Sequence, residues 1–154
     1  MLNILLPVPH FEQSRDGACL PACVRMVLAF YGDKRSEMDV ATQLESKQYG
    51  APISAASRIA RDRRYFVTIS SLTEAELKVR LSAGTPVIAR VWTAMLPDWQ
   101  TQTSHVVVVI GYTHDGVFVN DPAFREHPRF IPRDAFLAAW AEFDETAVLI
   151  LQNW

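Results

Sequence analysis

Gln13 and Cys19 have the residue types and the six-residue spacing of an oxyanion donor followed by a thiol nucleophile. Cys19 begins an apolar stretch that continues to Leu28, a pattern typical of the first turns of a buried helix. A helix N-terminus offers unpaired backbone N–H groups and the positive end of the helix dipole, and both favour the reactive thiolate over the thiol. We therefore expect Cys19 to be a nucleophile and Gln13 to stabilise the oxyanion.

His105 and Asp121 are the candidates for the general base and for the residue that orients it. Residues 105–112 are nearly all Val and Ile, which predicts a central strand, and residues 117–120 predict a strand that returns beside it. A wide turn through residues 111–115 would make His105 and Asp121 direct neighbours, whereas a tight two-residue turn would shift that register. With the wide turn, Asp121 would fix the tautomer of the imidazole and favour the imidazolium.

Each of these residues also has an ordinary structural interpretation. A single histidine beside a run of valines is most often a strand residue at a sheet edge, and Asp121 before a proline is typical of a turn. Cys23 has Val27 and Phe30 at helical spacing, so we expect it to pack in the core. Two cysteines do not make a disulfide scaffold, and as free thiols they fit a reducing compartment.

A metal site built from Cys19, Cys23, His105 and Asp121 is a weaker alternative. Cysteines four residues apart, one of them at the start of a helix, are poorly spaced for zinc compared with the usual C-x-x-C pair. The sequence also contains no G-x-x-x-x-G-K-[ST] phosphate-binding loop. We therefore expect neither a metal nor a cofactor.

The elements that must position these residues alternate between helix and strand, with helices concentrated early and strands late. This order predicts an α+β fold. Helices are expected at residues 19–31, from Ser36 to about Leu44, from Ser54, from Thr73 to Leu81, and from Asp134 to Phe143; strands are expected at residues 65–69, 86–92, 105–112, 117–120 and 146–151. Ser36 is a predicted N-cap, and Thr73 with Glu76 is a predicted capping box.

The composition limits the possible functions. A chain of 154 residues, 49% of them hydrophobic, is long enough for one well-filled core, so we expect a single domain over residues 1–154. A net charge of -2 gives no basic surface for nucleic acid. No apolar run approaches the ~20 residues of a membrane span, and residues 1–7 lack the features of a signal peptide. These features predict a cytoplasmic protein.

A loop over residues 93–104 leads directly into His105 and is therefore placed to form one wall of a cleft. Leu96 and Trp99 are its large apolar side chains, and we name them as candidates for substrate contacts. Large apolar residues near a sheet are, however, more often part of the core.

At two separated places the sequence resembles papain-like cysteine peptidases, and more closely the bacteriocin-processing, double-glycine leader peptidase family and its stand-alone relatives. The first segment runs from Phe11 through Gln13 and Cys19 to Gly32. The second is the His strand from Ser104 to Tyr112, followed by Val117-Phe118-Val119-Asn120-Asp121-Pro122-Ala123. The order Gln, Cys, His, Asp is also that of the family, and the segments span about the whole catalytic domain.

The resemblance implies a papain-like arrangement, in which an N-terminal helical part carrying the cysteine packs on a C-terminal antiparallel sheet carrying the histidine and aspartate. It implies that Gln13 is the oxyanion-hole glutamine, Cys19 the nucleophile, His105 the general base and acid, and Asp121 the orienting residue. The family usually has glycine directly after the nucleophile. This chain has Leu20 there, so we expect Leu20 to influence which substrate fits.

Three functions are open at this point. The first is a stand-alone cysteine peptidase or amidase that acts on a peptide or protein, without an exporter's membrane and ATPase parts. The second is an acyltransferase that uses the same triad, with an amine instead of water as acceptor. The third is a catalytically silent binding or regulatory module. The sequence does not separate the first two, because both pass through the same thioester, and it indicates no oligomeric state.

Overall fold

A computed structural model describes residues 3–153, so the first two residues of the stretch examined for a signal peptide lie outside the described part. Its elements are β1 (Ile4–Leu5), α1 (Cys19–Phe30), α2 (Glu37–Gln43), a 3-10 helix (Ile53–Arg61), β2 (Tyr65–Ser71), α3 (Glu74–Ser82), β3 (Val87–Trp92), a short 3-10 helix (Thr93–Met95), β4 (Ser104–Thr113), β5 (Gly116–Asn120), β6 (Arg129–Pro132), α4 (Arg133–Ala141) and β7 (Thr146–Gln152). The α+β fold and its papain-like arrangement are therefore confirmed.

Helix α1 forms because its residues are almost all apolar and because its ends carry suitable residues. Pro21 falls in the first turn, where a missing N–H costs nothing. Gly32 adopts a left-handed conformation, φ +88°, that ends the helix, and its N–H donates to the Ala29 carbonyl at 2.9 Å. Eight residues of α1 are buried, which makes it the central helix of one core.

Local capping signals were reliable for two of the other helices. The Ser36 hydroxyl accepts from the Asp39 N–H at the start of α2, and Thr73 with Glu76 forms the predicted capping box of α3. The helix predicted from Ser54 differs, because it is a 3-10 helix that begins at Ile53 after Pro52, with no side-chain cap.

The strands form one antiparallel sheet in the order β2-β7-β3-β4-β5-β6, with β1 paired to β4. Helices cover both faces: α1, α2 and the first 3-10 helix pack on one, and α3 and α4 on the other. Along β4, Val106 and Val108 face the α1 layer, whereas Val107 and Val109 face the layer of α3 and α4. Since β4 is buried on both faces, it is a continuous apolar run without the alternation of a surface strand.

The turn between β4 and β5 differs from the wide turn expected from the sequence. Thr113 pairs directly with Gly116, so only two residues connect the strands, and an irregularity between Val109 and Gly111 then shifts the register. Beyond it Val108 pairs with Asn120. The shift compensates in part for the tight turn and brings the end of β5 close to the start of β4.

Strand β6 was not predicted from the sequence. It has only four residues, and it pairs with β5 through Val119 and Arg129 at one end and through Gly116 and Pro132 at the other. Within residues 3–153, no helix has the length and apolar character needed to cross a bilayer.

Candidate active site

Cys19 is the first residue of α1, and its position leaves the helix N-terminus open. Ala18 precedes it without a side-chain cap, and the first turn contains no acidic residue. The Ala22 N–H already bonds the Ala18 carbonyl, whereas the Cys19 N–H finds no acceptor among residues 3–153. The start of α1 therefore offers a free backbone donor directly beside the sulfur.

His105 and Asp121 meet despite the tight turn. The His105 Nε2–H donates to Asp121 Oδ1 at 2.7 Å, and the two residues are only 4% and 2% exposed. This contact fixes the ring and leaves Nδ1 as the second ring nitrogen. The Cys19 thiol lies close enough to act on the same ring as a hydrogen-bond partner.

The electrostatics of this pair favour a charged imidazole. Burial by itself would lower the pKa of His105, but its hydrogen bonds with Asp121 and Cys19, together with their charges, raise it to about 9. The imidazolium is thus the stable form at neutral pH. A cation held at this position also stabilises an anion at the neighbouring sulfur.

Asp121 is held by two further donors that the sequence did not indicate. The Ala123 N–H donates to Oδ1 at 2.9 Å, and the Trp99 indole N–H donates to Oδ2 at 3.3 Å. The indole ring also lies 4.7 Å from the His105 ring, measured between centroids. Trp99 therefore touches both members of the pair and covers their hydrogen bond.

The N-terminal segment of residues 8–13 is tied to the turn that carries Asp121. His10 Nε2 donates to the Asp121 carbonyl at 2.9 Å, Asn120 Nδ2 donates to the Val8 carbonyl at 3.0 Å, and the Gln13 N–H donates to the Pro122 carbonyl at 2.7 Å. These bonds join residues more than a hundred positions apart. They fix Gln13 relative to the His105–Asp121 pair.

The Gln13 side chain has a distinctive environment. Its amide oxygen is buried and has no hydrogen-bond partner. Its amide nitrogen is not buried in this way and donates to no residue within the described part of the chain. Gln13 lines the same cleft as Cys19, and its amide N–H donors are unused within the described residues.

Gln13, Cys19 and His105, three of the four predicted chemical residues, line a cleft of about 760 Å³. The fourth, Asp121, is buried behind His105. The residues that line it are Gln13, Asp16, Gly17, Cys19, Tyr49, Gly50, Ala51, Pro52, Ile53, Ser54, Arg90, Trp99, Thr101, Thr103, Ser104, His105 and Val106. One wall is formed by the N-terminus of α1 and by residues 49–54. The other wall is formed by the start of β4 and by the loop of residues 99–103.

The first wall depends on a close backbone approach. Gly17 has φ +86°, and a Cβ built on it would lie 3.0 Å from the Tyr49 carbonyl carbon. A side chain at position 17 would therefore push residues 49–50 away from Cys19. Arg15 donates to the Gln48 carbonyl and holds the same segment in place.

Two of the three expected substrate contacts are wrong. Leu20 is 1% exposed because the rotation of about 100° per helical residue turns it from the cleft into the core below α1. Leu96 is 6% exposed and packs on the opposite face of the sheet. Only Trp99 of the three lines the cleft.

Cys23 is fully buried, as its apolar neighbours predict, and its thiol donates to the Val106 carbonyl at 3.4 Å. Burial, followed by the charges of Cys19 and Asp121, raises the pKa of Cys23 well above its ordinary value. Within residues 3–153, no group of three or more His, Cys, Asp or Glu side chains is arranged to hold a metal ion.

Comparisons with known proteins identify the family and the fold. The model of the peptidase C39 like family matches residues 5–148. A C39-like peptidase from Bacillus anthracis is 18% identical with a TM-score of 0.80, covering 99% of both chains. A double glycine motif protease from an AMS/PCAT transporter, solved in complex with the leader peptide, is 19% identical with a TM-score of 0.76, covering 99% of this chain and 100% of that one.

The peptidase domain of Streptococcus ComA, a bi-functional ABC transporter involved in quorum sensing, is 16% identical with a TM-score of 0.75, covering 93% of this chain and 97% of that domain. No curated protein matches the sequence. The structural likenesses show the shared fold, and the family model covers nearly the whole chain. The chain therefore belongs to the peptidase C39-like family of cysteine peptidases.

Proposed function

We propose that this cysteine peptidase cleaves a peptide amide through a thioester on Cys19, with His105 as base and acid, Asp121 as orienting residue and Gln13 as oxyanion donor. The observation that carries the proposal is the buried His105–Asp121 hydrogen bond of 2.7 Å beside a thiol at an open helix N-terminus. Buried ionisable side chains with shifted pKa values at the edge of a cleft are typical of functional sites, which supports a catalytic role for this pair.

In the first half of the reaction, Cys19 reacts as the thiolate of an ion pair whose proton lies on His105 Nδ1, and Sγ bonds to the carbonyl carbon. The electron pair of the C=O bond moves to oxygen, which accepts from the Cys19 N–H and the Gln13 amide. When the oxyanion collapses, the C–N bond breaks. His105 gives its proton to the departing amine, leaving a thioester.

In the second half, His105 takes a proton from water, and the hydroxide attacks the thioester carbonyl. The C–S bond breaks and Cys19 recovers its proton. Asp121 accepts from Nε2 throughout and keeps Nδ1 directed at the reacting atoms. The substrate class that we propose is a peptide, which a double glycine relative also binds as its leader. Two free cysteines, Cys19 and Cys23, favour action in a reducing compartment such as the cytoplasm.

The test is a comparison of Cys19→Ala with Cys23→Ala. The wild-type protein is incubated with a mixed peptide library and separately with iodoacetamide at neutral pH, and products are identified by mass spectrometry. We expect Cys19→Ala to abolish both hydrolysis and labelling, and Cys23→Ala to retain both because Cys23 is buried. Unchanged labelling in Cys19→Ala, or no hydrolysis of any peptide by the wild type, would contradict the proposal.

A further inference from the structure

The cleft contains one guanidinium whose charge is not compensated by the protein. Arg90 lies on β3, paired with Val106 of β4, and its side chain lines the cleft. Among residues 3–153, no carboxylate oxygen lies within 4.0 Å of its guanidinium nitrogens. Arg129 and Arg133, by contrast, form ion pairs at 2.8 and 2.7 Å.

The Arg90 side chain is nevertheless held in one orientation. Its Nε donates to the Ser104 hydroxyl at 3.1 Å, and its Cζ lies 4.0 Å from the centroid of the Phe143 ring. These contacts occupy one N–H and one face of the guanidinium. The two terminal NH2 groups donate to no residue in the described range, so a planar pair of donors is oriented and unused.

Arg90 is also close to the reacting atoms. Its strand neighbour Val91 pairs with His105, and Ser104, which binds the Arg90 Nε, is the residue before His105. Since an extended peptide advances about 3.3–3.6 Å per residue, a substrate whose scissile bond lies at Cys19 passes Arg90 within a few residues of that bond. Besides His105, Asp16 is the only other charged residue lining the described cleft, and it stands on the α1 side.

We propose that Arg90 is a specificity-determining residue that binds a carboxylate of the substrate peptide. This inference rests on the proposed peptidase function and adds a substrate class to it: peptides with an acidic group within a few residues of the cleaved bond. A carboxylate matches the fork of two N–H donors and would bond both at once. The group is supplied either by an Asp or Glu side chain or by the peptide's own C-terminus.

The experiment uses a peptide of one cleavable sequence, with Glu or Gln placed in turn at each of about four positions on either side of the cleaved bond. Each peptide is made with a free and with an amidated C-terminus. We expect the wild type to prefer Glu over Gln at one position by roughly 10- to 100-fold in kcat/KM. If the C-terminal carboxylate is the ligand, the preference instead follows the free terminus.

The preference for Glu should disappear in Arg90→Gln and turn towards Gln in Arg90→Glu. The matched control is Arg80→Gln, an exposed arginine in α3 away from the cleft. Its Glu preference should equal that of the wild type. Added salt should weaken the preference in the wild type.

Calorimetry of the same peptides with the Cys19→Ala protein measures binding without cleavage. It therefore tests the Arg90 carboxylate site separately from the peptidase function. Tighter binding of the acidic peptide that is lost on adding Arg90→Gln supports the carboxylate site even if hydrolysis were absent. Hydrolysis with equal rates for Glu and Gln at every position and for both C-termini overturns the Arg90 inference and leaves the peptidase function intact. A Glu preference that persists in Arg90→Gln also overturns it.

Discussion

The two walls of the cleft differ in how completely their polar groups are bonded. On the His105 side, Asp121 accepts from His105, Ala123 and Trp99, and its own carbonyl accepts from His10. On the Cys19 side, the helix N-terminus has no side-chain cap, and the buried Gln13 amide oxygen has no hydrogen-bond partner within residues 3–153.

This difference separates two tasks. The His105 wall keeps a charged pair in one position before the substrate arrives, which requires that its hydrogen bonds be satisfied within the protein. In the proposed reaction, the Cys19 wall stabilises a charge that exists only while the bond is cleaved, so its donors are left for the substrate's oxygen. We expect substitutions in either wall to lower activity. Substitutions in the two walls should differ in their effects on the pH dependence of activity and on stability.

The largest effect is expected from Asp121→Ala, which removes the acceptor for His105, Ala123 and Trp99 together. We expect a loss of kcat/KM on the order of 10³- to 10⁴-fold, as for orienting aspartates elsewhere, together with a lower melting temperature because buried donors lose their partner. Steady-state kinetics and thermal unfolding check both. An active and equally stable variant would show that the His105 wall does not depend on this carboxylate.

Asp121→Asn keeps the shape and one acceptor but removes the charge, and it therefore separates orientation from electrostatics. His105 must be protonated in the ion pair, and its raised pKa of about 9 means that the wild type loses activity as pH rises through that value. Without the carboxylate, burial lowers the pKa of His105, so the alkaline limb of the pH profile should move to lower pH. An unmoved limb would contradict the electrostatic role.

A smaller effect is expected from Gln13→Ala on the opposite wall. Loss of one oxyanion donor costs on the order of 100- to 1000-fold in kcat. KM and the alkaline limb should change little, since His105 and Asp121 keep their partners. The melting temperature should not fall, because the buried Gln13 oxygen has no partner to lose.

The control for Gln13→Ala is Gln152→Ala at the end of β7, which should behave as the wild type. A shifted pH profile in Gln13→Ala would mean that the two walls are coupled. It would contradict the idea that each wall performs a separate task.

The smallest effect is expected from Trp99→Phe. This change removes the long 3.3 Å hydrogen bond to Asp121 but keeps an aromatic ring over His105. We expect a decrease of roughly 3- to 10-fold in kcat/KM, in line with one weak hydrogen bond to a charged group. Trp99→Leu should lose more, because it also uncovers the pair to water. If Trp99→Phe and Trp99→Leu were equally active, the loss of activity would come from the smaller size of the side chain and not from the loss of an aromatic ring over His105.

Local signals in the sequence predicted the helices well. Gly32, the Ser36 cap and the Thr73–Glu76 capping box act within one or two turns, so their outcome depends little on the rest of the chain. The candidate chemical residues were named from type and order, and the structure brings Gln13, Cys19 and His105 to one cleft with Asp121 bonded to His105. Their juxtaposition was predicted by the wrong route, since an irregularity between Val109 and Gly111, which no local pattern signals, sets the final register.

Contacts between distant segments could not be predicted. The Ala123 and Trp99 donors to Asp121, and the His10 donor to its carbonyl, depend on how three separate segments converge. Leu20 was assigned to the cleft from its place beside Cys19, yet one step along a helix turns a side chain into the core. Strand β6 is too short for a periodic signal.

The hydrogen bond from the Gln13 N–H to the Pro122 carbonyl has a consequence for the order of events during synthesis. Gln13 and Cys19 leave the ribosome about a hundred residues before the segment that carries Asp121 and Pro122. Such long-range closure is among the slower steps of folding. A growing chain therefore carries Cys19 without His105 and Asp121 while the intervening residues are made, and the cleft is complete only when the end of β5 has joined the N-terminal segment.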